Sequence, residues 1–177
     1  MREKEALSIL RAAHERGLPS IVIGGNAIII LGYTRNTVDF DLLLPESDRS
    51  RWLDLLREMG YRLFHGESAF AQFEPPAGQD LPVDLMFVDA ETWNKLVAAA
   101  REVRLGSERV LLPLPEHLVA LKLHAASSPG RTKIATDWED IRQIVRICGL
   151  STTQASFREL VLRYGGEDAL RRIEQFI

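Results

Sequence analysis

The sequence predicts an α/β (α+β) protein, with a mixed β-sheet core flanked by helices over residues 1–113 and a C-terminal helical bundle over 114–177. Three observations predict it. Short apolar or alternating runs closed by Gly or Pro recur up to Pro113, interleaved with amphipathic stretches. From Pro115 onward the apolar residues recur at helical spacing alone. The 177 residues are 46% hydrophobic and 27% charged, a globular composition in a chain long enough to bury a core without metal or disulfide staples.

The elements follow in order. Ala6, Leu7, Leu10, Ala13 and His14 put a helix on Lys4 to Arg16, stopped by Gly17 and Pro19. Ser20 to Ile23 is a β-branched run entering the Gly24-Gly25 turn, and Ala27 to Leu31 reads as a short, fully buried helix closed by Gly32. Thr37 to Leu44 alternates as a strand, with Val38, Phe40 and Leu42 on one face and Asp39, Asp41 and Leu43 on the other, and Pro45 closes it. Ser47 is a candidate cap for a helix to Met59 that buries Trp52, Leu53, Leu55 and Leu56. Tyr61 to Phe64, Ala69 to Phe73 and Leu81 to Val88 read as strands, with Pro75 to Gly78 as a loop. Asp89 is placed to cap a helix over Glu91 to Arg101, and Val110 to Leu112 is a short strand.

Beyond Pro115, Leu118, Leu121 and Ala125 share one helical face, and Ser127 to Gly130 breaks that helix. A second helix runs from about Thr136 to Cys148 and ends at Gly149. Ser151 to Gln154 has the pattern of a capping box for a third, and Gly165-Gly166 sets off a last one. No repeat, low-complexity segment or flexible linker interrupts the chain.

Composition narrows the function classes. Twenty-two Lys and Arg against 25 Asp and Glu give a net charge of −3, which argues against a uniformly basic nucleic-acid binder but allows a local basic groove. The charged N-terminal residues are not expected to form a signal peptide, and no apolar run approaches the roughly 20 residues that span a bilayer. A soluble, cytoplasmic protein without a membrane partner is expected. The single cysteine, Cys148, has no internal disulfide partner. No GxSxG, P-loop or GxGxxG pattern is present, so a serine hydrolase, a Walker ATPase and a dinucleotide enzyme lose support. The four histidines form no metal-binding pair pattern.

Four features bear on chemistry. Gly24-Gly25 between a strand and a helix suits close approach of a ligand and an anion at the amides, or simply a tight turn. Asp39 and Asp41 project from one face of an apolar strand and repel each other, which a divalent cation would relieve. Their other reading is an edge strand with a wet face. Asp84 is a lone charge in the apolar run Leu81 to Val88, either bonding a loop or completing an acidic trio. Lys122 lies on an apolar helix, with Asp137 and Asp140 three apart on the next. It either snorkels to water or sets an ammonium against phosphate, with Asp137 holding it or contributing to catalysis.

Gly24-Gly25-Asn26-Ala27, then Gly32, Arg35, Thr37 and Asp39-Phe40-Asp41, resemble the signature of DNA polymerase β-type nucleotidyltransferases. Leu118-x-x-x-Lys122-x-x-Ala125 followed by Asp137-x-x-Asp140-Ile141 resembles the AbiEii-like abortive-infection toxins and related minimal nucleotidyltransferases. The resemblance implies a nucleotidyltransferase core. Asp39, Asp41 and Asp84 would bind Mg²⁺ (or Mn²⁺), and Asp84 would also act as general base. Gly24 and Gly25 would cradle the triphosphate, Asn26 follows them in the turn, and Arg35 and Thr37 would help position phosphate. Lys122 and Asp137 would stand as the family's helical Lys and Asp. The implied reaction is attack by an acceptor hydroxyl on the α-phosphate of an NTP, releasing pyrophosphate.

The acceptor would be tRNA or another RNA, a protein or a small antibiotic-like molecule. Arg101, Arg104, Arg109, Arg131 and Lys133 are the candidate RNA surface. A toxin role would bring a cognate antitoxin. The alternatives are a non-catalytic nucleotide- or partner-binding member of the fold and a metal-dependent phosphohydrolase. Two positions depart from the pattern. Asn26 stands where many relatives have Ser, Thr or another small residue, and Thr136 stands where the toxin branch has Arg or Lys.

Overall fold

A computed structural model of the chain describes residues 2–176. Within them the backbone forms seven strands and seven helices: α1 (Arg2–Glu15), β1 (Ile21–Val22), α2 (Gly24–Ile30), β2 (Phe40–Pro45), α3 (Arg49–Glu58), β3 (Arg62–Gly66), β4 (Phe70–Glu74), β5 (Val83–Val88), α4 (Ala90–Ala99), β6 (Arg101–Leu105), β7 (Glu108–Leu112), α5 (Pro115–Ala126), α6 (Ile134–Cys148) and α7 (Ala155–Glu174). They fall into two compact units. One comprises everything up to Ala27 together with Arg35–Pro113, and the other Ile28–Thr34 together with everything from Leu114.

The first unit is built on a mixed sheet of order β3-β4-β5-β2-β1-β7-β6. Its central strand, β2, runs parallel to β5 and antiparallel to β1. Phe40, Leu42, Leu43 and Leu44 are all buried, as expected of a strand covered on both faces, so simple alternation fails beyond Asp41. Helix α4 packs on β2, while α1 packs on α3 and β7. Trp52 of α3 is fully buried, and its indole N–H donates to the carbonyl of Pro19 at 3.3 Å.

Several expectations shift. The strand expected from Thr37 begins at Phe40 and keeps Pro45, because the pairing with β5 starts at Phe40 opposite Val83 and residues 37–39 lie outside that ladder. Val38 is 55% exposed rather than on the core face. The helix expected at Ala27 starts at Gly24, and it is not wholly buried, since Ile29 is 38% exposed. Ser47 lies in a 3₁₀ turn (Glu46–Asp48), and Asp48 is the residue before α3, without a side-chain cap. Arg101 opens β6 instead of ending a helix. Its run Arg-Glu-Val-Arg-Leu pairs with β7 at a sheet edge, where charged residues are common. Asp89 does cap α4, accepting from the Thr92 amide at 2.7 Å, which holds its carboxyl below the usual range.

In the second unit α5 packs against both α6 and α7. The buried faces carry Leu118, Val119 and Leu123 on α5, Ile141, Ile144 and Val145 on α6, and Phe157, Val161 and Ile173 on α7. The expected box at Ser151 to Gln154 does not cap α7; instead the Ser151 hydroxyl accepts from the Thr153 amide at 3.2 Å. Gly166 breaks the helical path with φ 72° and ψ −171°, a conformation that suits glycine. Its neighbour Gly165 brings α7 close to α5, where a Cβ would lie 3.0 Å from Leu123.

Candidate active site

The site grows out of strand pairing. β1 runs antiparallel to β2, with Val22 opposite Leu42, so the chain leaving β1 arrives beside the start of β2. The amide of Ile23 donates to the carbonyl of Asp41 at 3.1 Å, which draws the glycine turn onto Asp41. β5 runs parallel to β2 in the register Asp41↔Asp84. Cross-strand partners in a pleated sheet project from the same face, and residues i and i+2 share a face. Two acids that start neighbouring parallel strands are thereby side by side, with Asp39 just ahead of them.

One ligand oxygen from each of Asp39, Asp41 and Asp84 lies within 4.8 Å of the other two. All three side chains are half-buried. They form the one such group of three His, Cys, Asp or Glu among the described residues. Carboxylate oxygens alone are a hard donor set, which suits Mg²⁺ or Mn²⁺ and not a thiolate-preferring metal. The residues therefore fit a divalent cation of that class.

The glycines have a specific task. Gly24 has φ +61°, and a Cβ there would fall inside the Asp41 carboxylate. A Cβ on Gly25 would sit 2.6 Å from the Thr37 hydroxyl and 3.4 Å from the guanidinium carbon of Arg35. The turn is bare so that Asp41, Thr37 and Arg35 can close on it. Asn26 donates its side-chain amide to the carbonyl of Asp39 at 2.9 Å. The Thr37 hydroxyl donates to the Asp39 carboxylate at 3.1 Å. Gly24→Ala should lower the unfolding free energy by at least about 2 kcal/mol, combining left-handed strain with displacement of Asp41. A urea midpoint equal to that of the parent chain would contradict this.

Gln72 does not stand out in the sequence. It faces Asp84 across the β4–β5 pairing and donates its amide to the Asp84 carboxylate at 3.0 Å. The only sequence signal is a polar residue between buried Ala71 and Phe73, which any half-exposed strand shows.

Lys122 and Asp137 lie in the helical unit and are bonded to each other. The Lys122 ammonium is 3.1 Å from Asp137 and 2.7 Å from Asp140, so it does not snorkel freely to water. Arg131 forks onto Asp137, at 2.7 Å through Nε and 2.9 Å through its terminal nitrogen. The side chains of Asp137 and Asp140 are only 1% and 2% exposed, against 15% for Lys122. Burial opposes ionisation of Asp137, but the Arg131 hydrogen bonds and the Lys122 charge outweigh it and hold its carboxyl below the usual range. Arg131 thus supplies a cation to Asp137 although Thr136, next to that acid, is neutral.

The expected basic surface is divided. Arg131 is committed to Asp137, and Arg109 lies 3.7 Å from Glu102. Arg104 faces Arg109 across β6 and β7, while Arg101 and Lys133 are exposed in different units.

The fold is that of the nucleotidyltransferases. The chain is similar to ANT(2'')-Ia in complex with adenylyl-2''-tobramycin, at 20% identity and TM-score 0.70 over 93% of this chain and 99% of that one. It is also similar to the lincosamide antibiotic adenylyltransferase LnuA bound to lincomycin (15% identity, TM-score 0.62, 83% of this chain and 98% of that one). JHP933 from Helicobacter pylori shares the fold at 13% identity and TM-score 0.62, over 99% and 88% of the two chains. No curated protein matches the chain significantly. The chain belongs to the nucleotidyl transferase family of unknown function DUF2204, whose model matches residues 3–173. No helix among the described residues is long and apolar enough to cross a membrane.

Proposed function

We propose that this nucleotidyltransferase moves a nucleoside monophosphate from an NTP to a hydroxyl of a small-molecule acceptor. The observation that carries the reading is the convergence of Asp39, Asp41 and Asp84 beside the Gly24-Gly25 turn. The three aspartates would hold Mg²⁺ or Mn²⁺, whose charge stabilises the phosphoryl oxygens when bound. Asp84 also takes the proton of the attacking hydroxyl. The acceptor oxygen bonds to the α-phosphorus as the bond to pyrophosphate breaks. The turn amides and Arg35 receive the triphosphate, while Asn26 and Thr37 act by holding Asp39. Lys122 and Asp137 enter as the family's helical Lys and Asp, on the resemblance of their motif. The division into a catalytic core to residue 113 and a helical region from 114 is part of the same proposal.

The acceptor reading draws support from two sources. Of the five cations suited to tracking RNA phosphates, Arg131 is held by the buried Asp137, and Arg109 has only an exposed pairing with Glu102. ANT(2'')-Ia and LnuA, which share the fold, have an adenylylated antibiotic and an antibiotic bound. An RNA acceptor, and a toxin role with a cognate antitoxin as the resemblance to the abortive-infection branch implies, are separated by one assay. Each α-labelled NTP is incubated with Mg²⁺ and either a panel of aminoglycosides and lincosamides or total tRNA. The expected result is pyrophosphate release with label on a small molecule, lost in EDTA and restored by Mg²⁺ or Mn²⁺. Label in tRNA would move the acceptor to RNA, and release of phosphate in place of pyrophosphate would overturn the transfer reading.

A further inference from the structure

Asp39 and Asp84 each give a carboxylate oxygen to a neutral donor. For Asp39 the donor is the Thr37 hydroxyl, two residues away in the chain. For Asp84 it is the Gln72 amide, brought by β4 from twelve residues away in the register Gln72↔Asp84. β4 alternates buried Ala71 and Phe73 with half-buried Phe70, Gln72 and Glu74, so its fold role asks only for some polar or amphipathic residue at 72. Glutamine adds two things that such a residue need not have. It reaches across the strand pair, and it donates a hydrogen bond without bringing a charge to the acidic cluster.

We propose that Gln72 is a positioning residue that orients Asp84 for the divalent cation, which rests on the reading of the trio as an ion site. An aspartate carboxylate turns about its last torsion within a broad, roughly two-fold well. A hydrogen bond at 3.0 Å on one of its oxygens sets the plane of the group and thus the direction of the other oxygen. Groups hydrogen-bonded to metal-ligating side chains hold them in binding geometry, and their loss typically weakens metal affinity by about 10–100-fold. A lysine or arginine at 72 would hold Asp84 too, but its charge would compete with the cation.

The test is Mn²⁺ affinity of the full chain, read from the electron paramagnetic resonance of free Mn²⁺ with no nucleotide present. Gln72→Met keeps length and loses the donor. Gln72→Thr keeps a strand-forming residue too short to reach, so one of the two serves if the other folds poorly. The expected result is a Mn²⁺ affinity about 10–100-fold weaker, with an unchanged circular dichroism spectrum. Transfer activity lost at low Mn²⁺ should recover at high Mn²⁺ in these variants. Asp41→Asn is the control and should bind no Mn²⁺ in the same range. Affinity within two-fold of the parent in a folded Gln72 variant, with binding lost in Asp41→Asn, would overturn the role of Gln72 and leave the ion site standing. Unchanged affinity in Asp41→Asn, or no binding by the parent chain, would instead overturn the ion site itself.

Discussion

Asp41→Asn should reduce NTP-dependent transfer by about three orders of magnitude or more while leaving the fold intact. The side chain keeps its size, so the packing of Gly24 against it survives, and only the charge is removed. Asp41 is central to the cluster. It is the register partner of Asp84, and Asp39 lies two residues before it, just ahead of β2. A ligand lost there removes charge stabilisation worth several kcal/mol, and each 1.36 kcal/mol is tenfold in rate. Single-turnover transfer from labelled NTP, with circular dichroism alongside, is the check. Activity within tenfold of the parent would mean that the carboxylates are not the catalytic ion site.

Asp137→Asn is expected to have the largest effect on stability. Asp137 is fully enclosed and receives both Arg131 and Lys122. Breaking a buried ion pair from one side leaves its partner's charge uncompensated, at a cost of about 3–5 kcal/mol. Lys122 keeps Asp140 at 2.7 Å, so the lower part of that range, about 3 kcal/mol, is expected. The pH dependence has a definite sign. Because the Asp137 carboxyl is held below its ordinary value in the fold, the unfolded chain binds the proton more readily. Its contribution is complete above the ordinary carboxylate value, near 4, and falls away as the pH drops through the depressed folded value. Urea midpoints at pH 7 and pH 3 measure both effects. The difference between parent and Asp137→Asn should be large at pH 7 and shrink at pH 3. A difference that grows in acid would contradict the assignment.

How much of this is legible in the sequence depends on whether a feature is local. Asp39, Asp41 and Asp84 stand out because a charge in an apolar strand is costly and rarely idle, and the Gly-Gly turn ahead of them is visible as a pattern. What the glycines make room for is not visible, since Asp41 reaches Gly24 only through the antiparallel pairing of β1 and β2. Gln72 is hidden for the same reason, its partner being chosen by the β4–β5 register. β6 is not legible because Arg-Glu-Val-Arg-Leu is charged, short and next to a helix end, and only its pairing with β7 makes it a strand. Arg131 reads as one of several surface cations because nothing local shows that it folds back on Asp137. Gly166 succeeded as a break because its effect is confined to its own backbone.

Crystals of the full chain soaked with Mn²⁺ and a non-hydrolysable NTP, measured by anomalous diffraction, address the central claim most directly. The expected map places a Mn²⁺ peak within coordinating distance of Asp39, Asp41 and Asp84, with the triphosphate on its open side and against the Gly24-Gly25 turn. A nucleotide bound elsewhere, or a metal peak that avoids the three aspartates at saturating Mn²⁺, would contradict the account.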